Sequence, residues 1–263
     1  MFFEESEVIM PVLYTGICDL EILAVNPTME QAKELGIFMT QEPVYKNDKG
    51  DVYVDIHLTK KDLGIITRKR FIVNSNVRVS STGKKLYIND FGQSSWGDVS
   101  AYAWFSKEGL REAKTGEEEL VKFFRAYFGI RSANKLTFRN FDAITKGDVS
   151  EIITTVDSNK LTKEGNPRRV KVLLGVRTVE TEKGIRHYQD IYSKHFEPSW
   201  SVDTKFFERA LSNSPFSSNY NNSFELTKFD FKAATTSSEK KEEDSFGGVF
   251  DDFTSPSSSE GIF

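Results

Sequence analysis

The sequence predicts a mainly β protein, an antiparallel barrel or sandwich with a few short helices, followed by a disordered acidic tail. Three observations predict it. Val52, Val54, Ile56 and Leu58 alternate with Tyr53, Asp55 and His57, the period of a half-buried strand, and β-rich runs recur from Val12 to Phe196. Helical periodicity is confined to the middle of the chain, where Leu120, Phe123, Phe124, Tyr127 and Phe128 form one apolar stripe. After residue 232 the composition turns to Ser, Thr, Gly and acid, which buries too little apolar surface to offset chain entropy.

In order, Val12 to Val25 reads as a long strand ended by Asn26-Pro27, because proline donates no ladder hydrogen bond. Thr28 and Gln31 have capping-box spacing, and Gly36 stops the helix they open. Asp48-Lys49-Gly50 is a turn before the Val52–Leu58 strand. Phe71 to Val73 and Val77 to Val79 continue as strand, and Ser80 to Gly83 turns the chain into Leu86-Tyr87-Ile88. The aromatic helix starts near Thr115 and ends at Gly129, and a second short one starts at Asp148 with Glu151 as its capping partner. Val170 to Val179 and Ile185 to Phe196 form a hairpin about Glu180–Gly184. Asp203 to Leu211 reads as helix, and Phe224 to Phe231 alternates weakly, as if to pack back on the sheet. About six or seven strands result, and a barrel of this kind with a helix between its third and fourth strands would be an OB-fold. Periodicity alone leaves barrel and sandwich both open.

The chain has 263 residues, with 35 Lys+Arg against 39 Asp+Glu. The imbalance lies in the tail. Residues 233–263 hold two basic and seven acidic groups, leaving residues 1–232 with 33 against 32. Domain organisation follows as a folded core over 1–232 and a tail over 233–263. Phe246, Phe250, Phe253, Ile262 and Phe263 stand among the tail carboxylates, a pattern that suits a short linear motif for a protein partner. No apolar run reaches transmembrane length, and Met1-Phe-Phe-Glu-Glu lacks a basic signal-peptide start, so the expectation is an intracellular protein without membrane contact. Cys18 is the single cysteine, which excludes an internal disulfide and a multi-cysteine zinc site.

Enzyme signatures are absent from the sequence: no GxxxxGK[ST], GxGxxG or GxSxG occurs. Glu112-Ala-Lys114 matches half of a nuclease motif without its preceding Pro-Asp, and Glu180 and Glu182 could meet a metal from one strand face. The expectation is therefore a protein that is not an enzyme and uses no cofactor and no metal. Nucleic-acid binding has positive support. Arg186, Tyr188, Tyr192, Lys194 and Phe196 share one strand face, Lys171 and Arg177 share a face of the hairpin partner, and Arg168 and Arg169 lie just before it. Cations neutralise phosphates, and planar rings stack on unpaired bases. The competing reading is that one of the two faces is core. A second basic cluster, Arg68-Lys69-Arg70 with Arg78, is read as basic turns near loop Trp96.

Tyr14-Thr-Gly-Ile-Cys-Asp-Leu-Glu-Ile-Leu-Ala-Val-Asn-Pro-Thr28 and Phe71-Ile-Val-Asn-Ser-Asn-Val-Arg-Val79 resemble single-stranded DNA-binding proteins of tailed bacteriophages, the crAss-like group among them. The layout of a core followed by an acidic, Phe-bearing tail is similar too. The resemblance implies an OB-fold core that grips single-stranded DNA in replication, recombination and repair, in the cytoplasm of a bacterial host. With it, the basic and aromatic residues read from the strand faces and clusters become the candidate DNA contacts: Arg68, Lys69, Arg70, Arg78, Trp96, Arg168, Arg169, Lys171, Arg177, Arg186, Tyr188, Tyr192 and Lys194. The resemblance also implies a tail (Phe250, Asp251, Asp252, Phe253, Ile262, Phe263) that docks a polymerase, helicase or primase. The alternative functions are a recombination mediator or annealing protein and a metal-dependent nuclease. Oligomeric state stays open, a homo-oligomer included.

Overall fold

The computed structural model describes residues 12–97, 99, 102–130, 141–181, 184–192, 195–202, 205–212 and 224–231. The chain divides into two units, residues 1–229 and 230–263. All tail residues named above lie outside the described residues, as does Lys194.

Unit 1 is mainly β. Its strands are β1 (Tyr14–Val25), β2 (Val52–Lys60), β3 (Ile65–Val73), β4 (Leu86–Ile88), β5 (Ser94–Trp96), β6 (Arg111–Glu112), β7 (Val170–Thr181), β8 (Gly184–Ile191), β9 (Glu197–Pro198) and β10 (Thr227–Lys228). Its helices are α1 (Met29–Glu34), α2 (Glu117–Phe128), α3 (Phe141–Ile144), α4 (Ser150–Ser158) and α5 (Lys205–Ser212). The main sheet runs β3-β2-β1-β7-β8, all antiparallel. β1 serves two neighbours in turn: Gly16–Leu20 pairs with β7, and Glu21–Val25 pairs with β2 across an irregularity between Ile22 and Ala24. Such an irregularity bends the strand and sharpens its twist, and the sheet curls until β8 approaches β3. A β1-β2-β3 meander, a helical crossover and a β7-β8 hairpin that returns toward β3 make a nearly closed, OB-like barrel.

Alternation decides what fills it. Val52, Val54, Ile56, Leu58, Phe71 and Val73 point inward and are at most 1% exposed. α2 supplies Leu120, Phe123, Phe124 and Tyr127 to the core, α3 and α4 add Phe141, Ile144, Ile152 and Val156, and the rings of Phe71, Phe123 and Phe196 meet at 5.1–6.3 Å. Glycines in the left-handed region, Gly116 at φ 79° and Gly129 at φ 62°, bound this helix. Glu117 in its first turn is buried and accepts from Arg111 Nη2 at 2.5 Å and from the Lys114 amide at 3.0 Å, which offsets the cost of removing a carboxylate from water.

Several expectations change. Arg68-Lys69-Arg70 is not a turn but the middle of β3, and the turn before it is Lys61–Gly64. Trp96 lies in a strand, β5, opposite Leu86 rather than in a loop. Val77 and Val79 make only isolated bridges, to Lys114 and Lys85. β8 ends at Ile191, before the predicted Phe196. Phe224 to Phe229 does pack back: β10 pairs with β1 at Tyr14 and Thr15, and Ile17 donates to the Phe224 carbonyl at 2.9 Å. No described helix is long and apolar enough to cross a membrane.

Candidate nucleic-acid interface

The outward face of β2 and β3 is a groove of about 770 Å³. Antiparallel register puts Asp55 opposite Arg70 and His57 opposite Arg68. Residues 36–44 of the β1–β2 connection form one border, and Arg177, Tyr188, Gln189 and Asp190 of the β7–β8 hairpin line the groove as well. This is the face, flanked by these two connections, on which OB-folds hold oligonucleotides.

The connection is held by side chains the sequence places early. Thr28 and Gln31 close the capping box of α1 at 3.2 and 3.0 Å. At the other end Gly36 (φ 70°) donates to the Lys33 carbonyl and Ile37 to the Ala32 carbonyl, the Schellman pattern, with Ile37 buried. The next residue, Phe38, is 89% exposed on the groove border. Asn26 clamps the start of the connection to β2: its Oδ1 accepts from the Asp55 amide at 2.6 Å and its Nδ2 donates to the Tyr53 carbonyl at 3.0 Å. Tyr45 donates to the Pro27 carbonyl at 2.6 Å, and burial pushes its phenol up to about 12.

Asp55, 1% exposed, organises the groove. Arg70 grips it bidentately, Nε to Oδ1 and Nη2 to Oδ2 both at 2.7 Å, and Arg68 Nη1 approaches Oδ2 at 3.4 Å. The Arg70 guanidinium also lies 4.6 Å from the Tyr53 ring centre, and Arg177 lies 5.6 Å from that of Tyr188. His57 is 4% exposed and its Nε2 has no hydrogen-bond partner among the described residues. Burial drives its pKa down to about 4. Asp55 opposes that fall, and Arg68 and Arg70 add to it.

A pH dependence follows. The imidazole titrates near 6.5 unfolded and near 4 folded, so between those values the unfolded chain binds more protons and stability falls as pH falls. About 3 kcal/mol should be lost between pH ~6.5 and pH ~4, with no further loss from this group below that. Urea unfolding of the native protein and His57→Gln at pH ~7 and pH ~4.5 measures it. The variant should lose less on acidification, and equal losses would remove His57 as the cause.

The predicted contact residues separate. Arg68, Arg70, Arg177 and Tyr188 line the groove, and Arg186, exposed, shares the Tyr188 face of β8. Lys69 faces the other way: opposite Ile56, it turns into the barrel beside Phe71, and burial lowers its pKa. Lys171 and Arg177 are on one strand parity but six residues, roughly 20 Å, apart. Between them Leu173 is covered by Phe207 of α5, in a small apolar cluster that Tyr192 and Ile17 also join. Lys171 pairs with Asp19 at 3.2 Å and Arg169 with Glu21 at 2.9 Å. Arg168 donates to the carbonyls of Asn159 at 2.9 Å and Phe128 at 2.8 Å. Arg78 and Trp96 belong to the β5-β4-β6 sheet region and do not line the groove. Phe196 is core. Of the nuclease candidates, Glu112 pairs with Lys85 and Lys114 with Asp142, each at 2.6 Å. Glu182 lies outside the described residues, as does the side chain of Glu180.

Sequence reasoning missed Phe38, Tyr53 and Asp55. One signal was present. In Gly36-Ile37-Phe38, the glycine stop calls for one apolar residue to cover the helix end, and the second has no such task.

The fold and groove define an OB-like barrel with an open face between two connecting loops. No family model matches the chain, and no curated protein or solved structure matches it either.

Proposed function

We propose that this chain is a non-enzymatic single-stranded DNA-binding protein that protects and organises DNA strands in phage replication and recombination, in the cytoplasm of the bacterial host. The supporting observation is the position of the groove: it lies on the β2–β3 face of an OB-like barrel, bordered by the β1–β2 connection and the β7–β8 hairpin, with arginines and planar rings along it. Arg68, Arg70, Arg177 and Tyr188 are the contact residues within the groove, and Arg186 extends the face. The acidic, Phe-bearing segment 233–263 would recruit a polymerase, helicase or primase.

Fluorescence anisotropy of a labelled oligothymidine and of its duplex, titrated with the full chain, tests the reading. Binding to the single strand with little binding to the duplex is the expected result. Absence of single-strand preference would overturn it.

A further inference from the structure

We infer that the groove holds its ligand chiefly by stacking unpaired bases rather than by neutralising phosphates, with Phe38 as a principal stacking platform. This rests on the single-strand reading above and deepens it.

The groove is balanced in charge. Among the described residues lining it, Arg68, Arg70 and Arg177 stand against Glu42, Asp55 and Asp190. Arg70 is committed, since it spends its fork on Asp55, while Arg68 approaches the same carboxylate with one nitrogen at 3.4 Å and keeps its side chain half exposed. The buried carboxylate occupies the Arg70 fork that a phosphate would need. Arg177 is left as the most available cation, and it lies over the ring of Tyr188, where it sits beside a π face as much as beside a backbone.

Rings, by contrast, are presented. A phenylalanine 89% exposed leaves nearly all of its apolar area in water, an arrangement that folding alone does not favour. Phe38 follows directly on the buried Ile37 and the Schellman end of α1, one residue from a fixed point of the chain. Tyr188, 41% exposed, lines the same groove from β8. Every base has a π face, so such rings accept any sequence but require the base to be unpaired.

The test uses the full chain and two probes: oligothymidine, titrated across a salt series, and a neutral thymine oligomer on a peptide backbone. Stacking carried by one ring corresponds to about ten-fold in affinity. Phe38→Ala should weaken oligothymidine binding by about that factor, Phe38→Leu nearly as much, and Phe38→Trp should restore it. Thermal midpoints should not move, because the side chain touches solvent.

Affinity should fall by less than about ten-fold between ~50 and ~200 mM salt, the response to about two phosphate contacts. The neutral oligomer should bind within about ten-fold of the DNA. A steep salt response with full affinity in Phe38→Ala and no binding of the neutral oligomer would overturn the inference while leaving the single-strand function intact. Failure of the native chain to bind any of the probes would overturn the function itself, and leave the apolar border as a contact for a protein.

Discussion

Replacing Asp55 by alanine is expected to cost about 3 kcal/mol of stability and to steepen the salt dependence of the proposed DNA binding. The carboxylate side chain is 2% exposed, and it carries both Arg70 nitrogens and one from Arg68. Removing one partner of a buried pair leaves the other charge poorly compensated, at a typical 3–5 kcal/mol, and the partly exposed Arg70 brings the figure to the low end. The binding effect has the opposite character. With the carboxylate gone the Arg70 fork is released and Arg68 is freed of its one contact, so roughly one more phosphate can be met and the slope of log affinity against log salt should grow by about 1. Denaturant unfolding of Asp55→Ala, Arg70→Met and the double variant measures the first effect, and the double variant should lose less than the two single losses added together. Full additivity would show that the pair is not coupled. An unchanged salt slope would show that the freed arginines do not meet DNA.

Gly16→Ala should destabilise the protein by at least about 3 kcal/mol. Gly16 has φ +115°, a region that costs other residues about 1–3 kcal/mol. An added methyl would also run into the backbone carbonyl of Glu225. That contact exists because residues 224–228 cross β1 there, with Ile17 bonded to Phe224 and β10 bonded to Tyr14 and Thr15. Gly36 is the comparison. Its φ is +70° and a methyl there would meet nothing within 4 Å, so Gly36→Ala should cost only about 1–2 kcal/mol. The difference between the two variants in denaturant midpoint isolates the steric contribution. Equal losses would mean that the 224–228 segment does not pack against Gly16.

Elements whose signal is local were legible. The capping box Thr28/Gln31 with its Gly36 stop needs only a few consecutive residues, and it forms as spaced. The same holds for the Ser80–Gly83 turn and for the aromatic stripe of α2. β3 was legible only at its end. Ile65-Ile66-Thr67-Arg68-Lys69-Arg70 lacks apolar alternation because Arg68 and Arg70 turn toward the groove, where they meet Asp55, while Lys69 turns inward beside Phe71. A strand whose polar side chains are satisfied by tertiary partners gives no period-2 hydrophobic signal. On β8 the alternation was right to Ile191 and failed afterwards, because strand parity means nothing once the strand ends.

The candidate site divides along the same line. Sequence by itself determined a mainly β chain, the hairpin that carries Arg177 and Tyr188, and the basic cluster at 68–70, all consequences of composition and of contacts between near neighbours. Tertiary structure alone decided which basic residues share a surface. Arg168, Arg169 and Lys171 are consumed by carbonyls, Glu21 and Asp19, while Arg68 and Arg70 gather on Asp55 in the groove that Phe38 borders. Which cation pairs with which carboxylate depends on strand register and barrel closure. Both place side chains far apart in sequence within a few ångströms, where their electrostatics are decided.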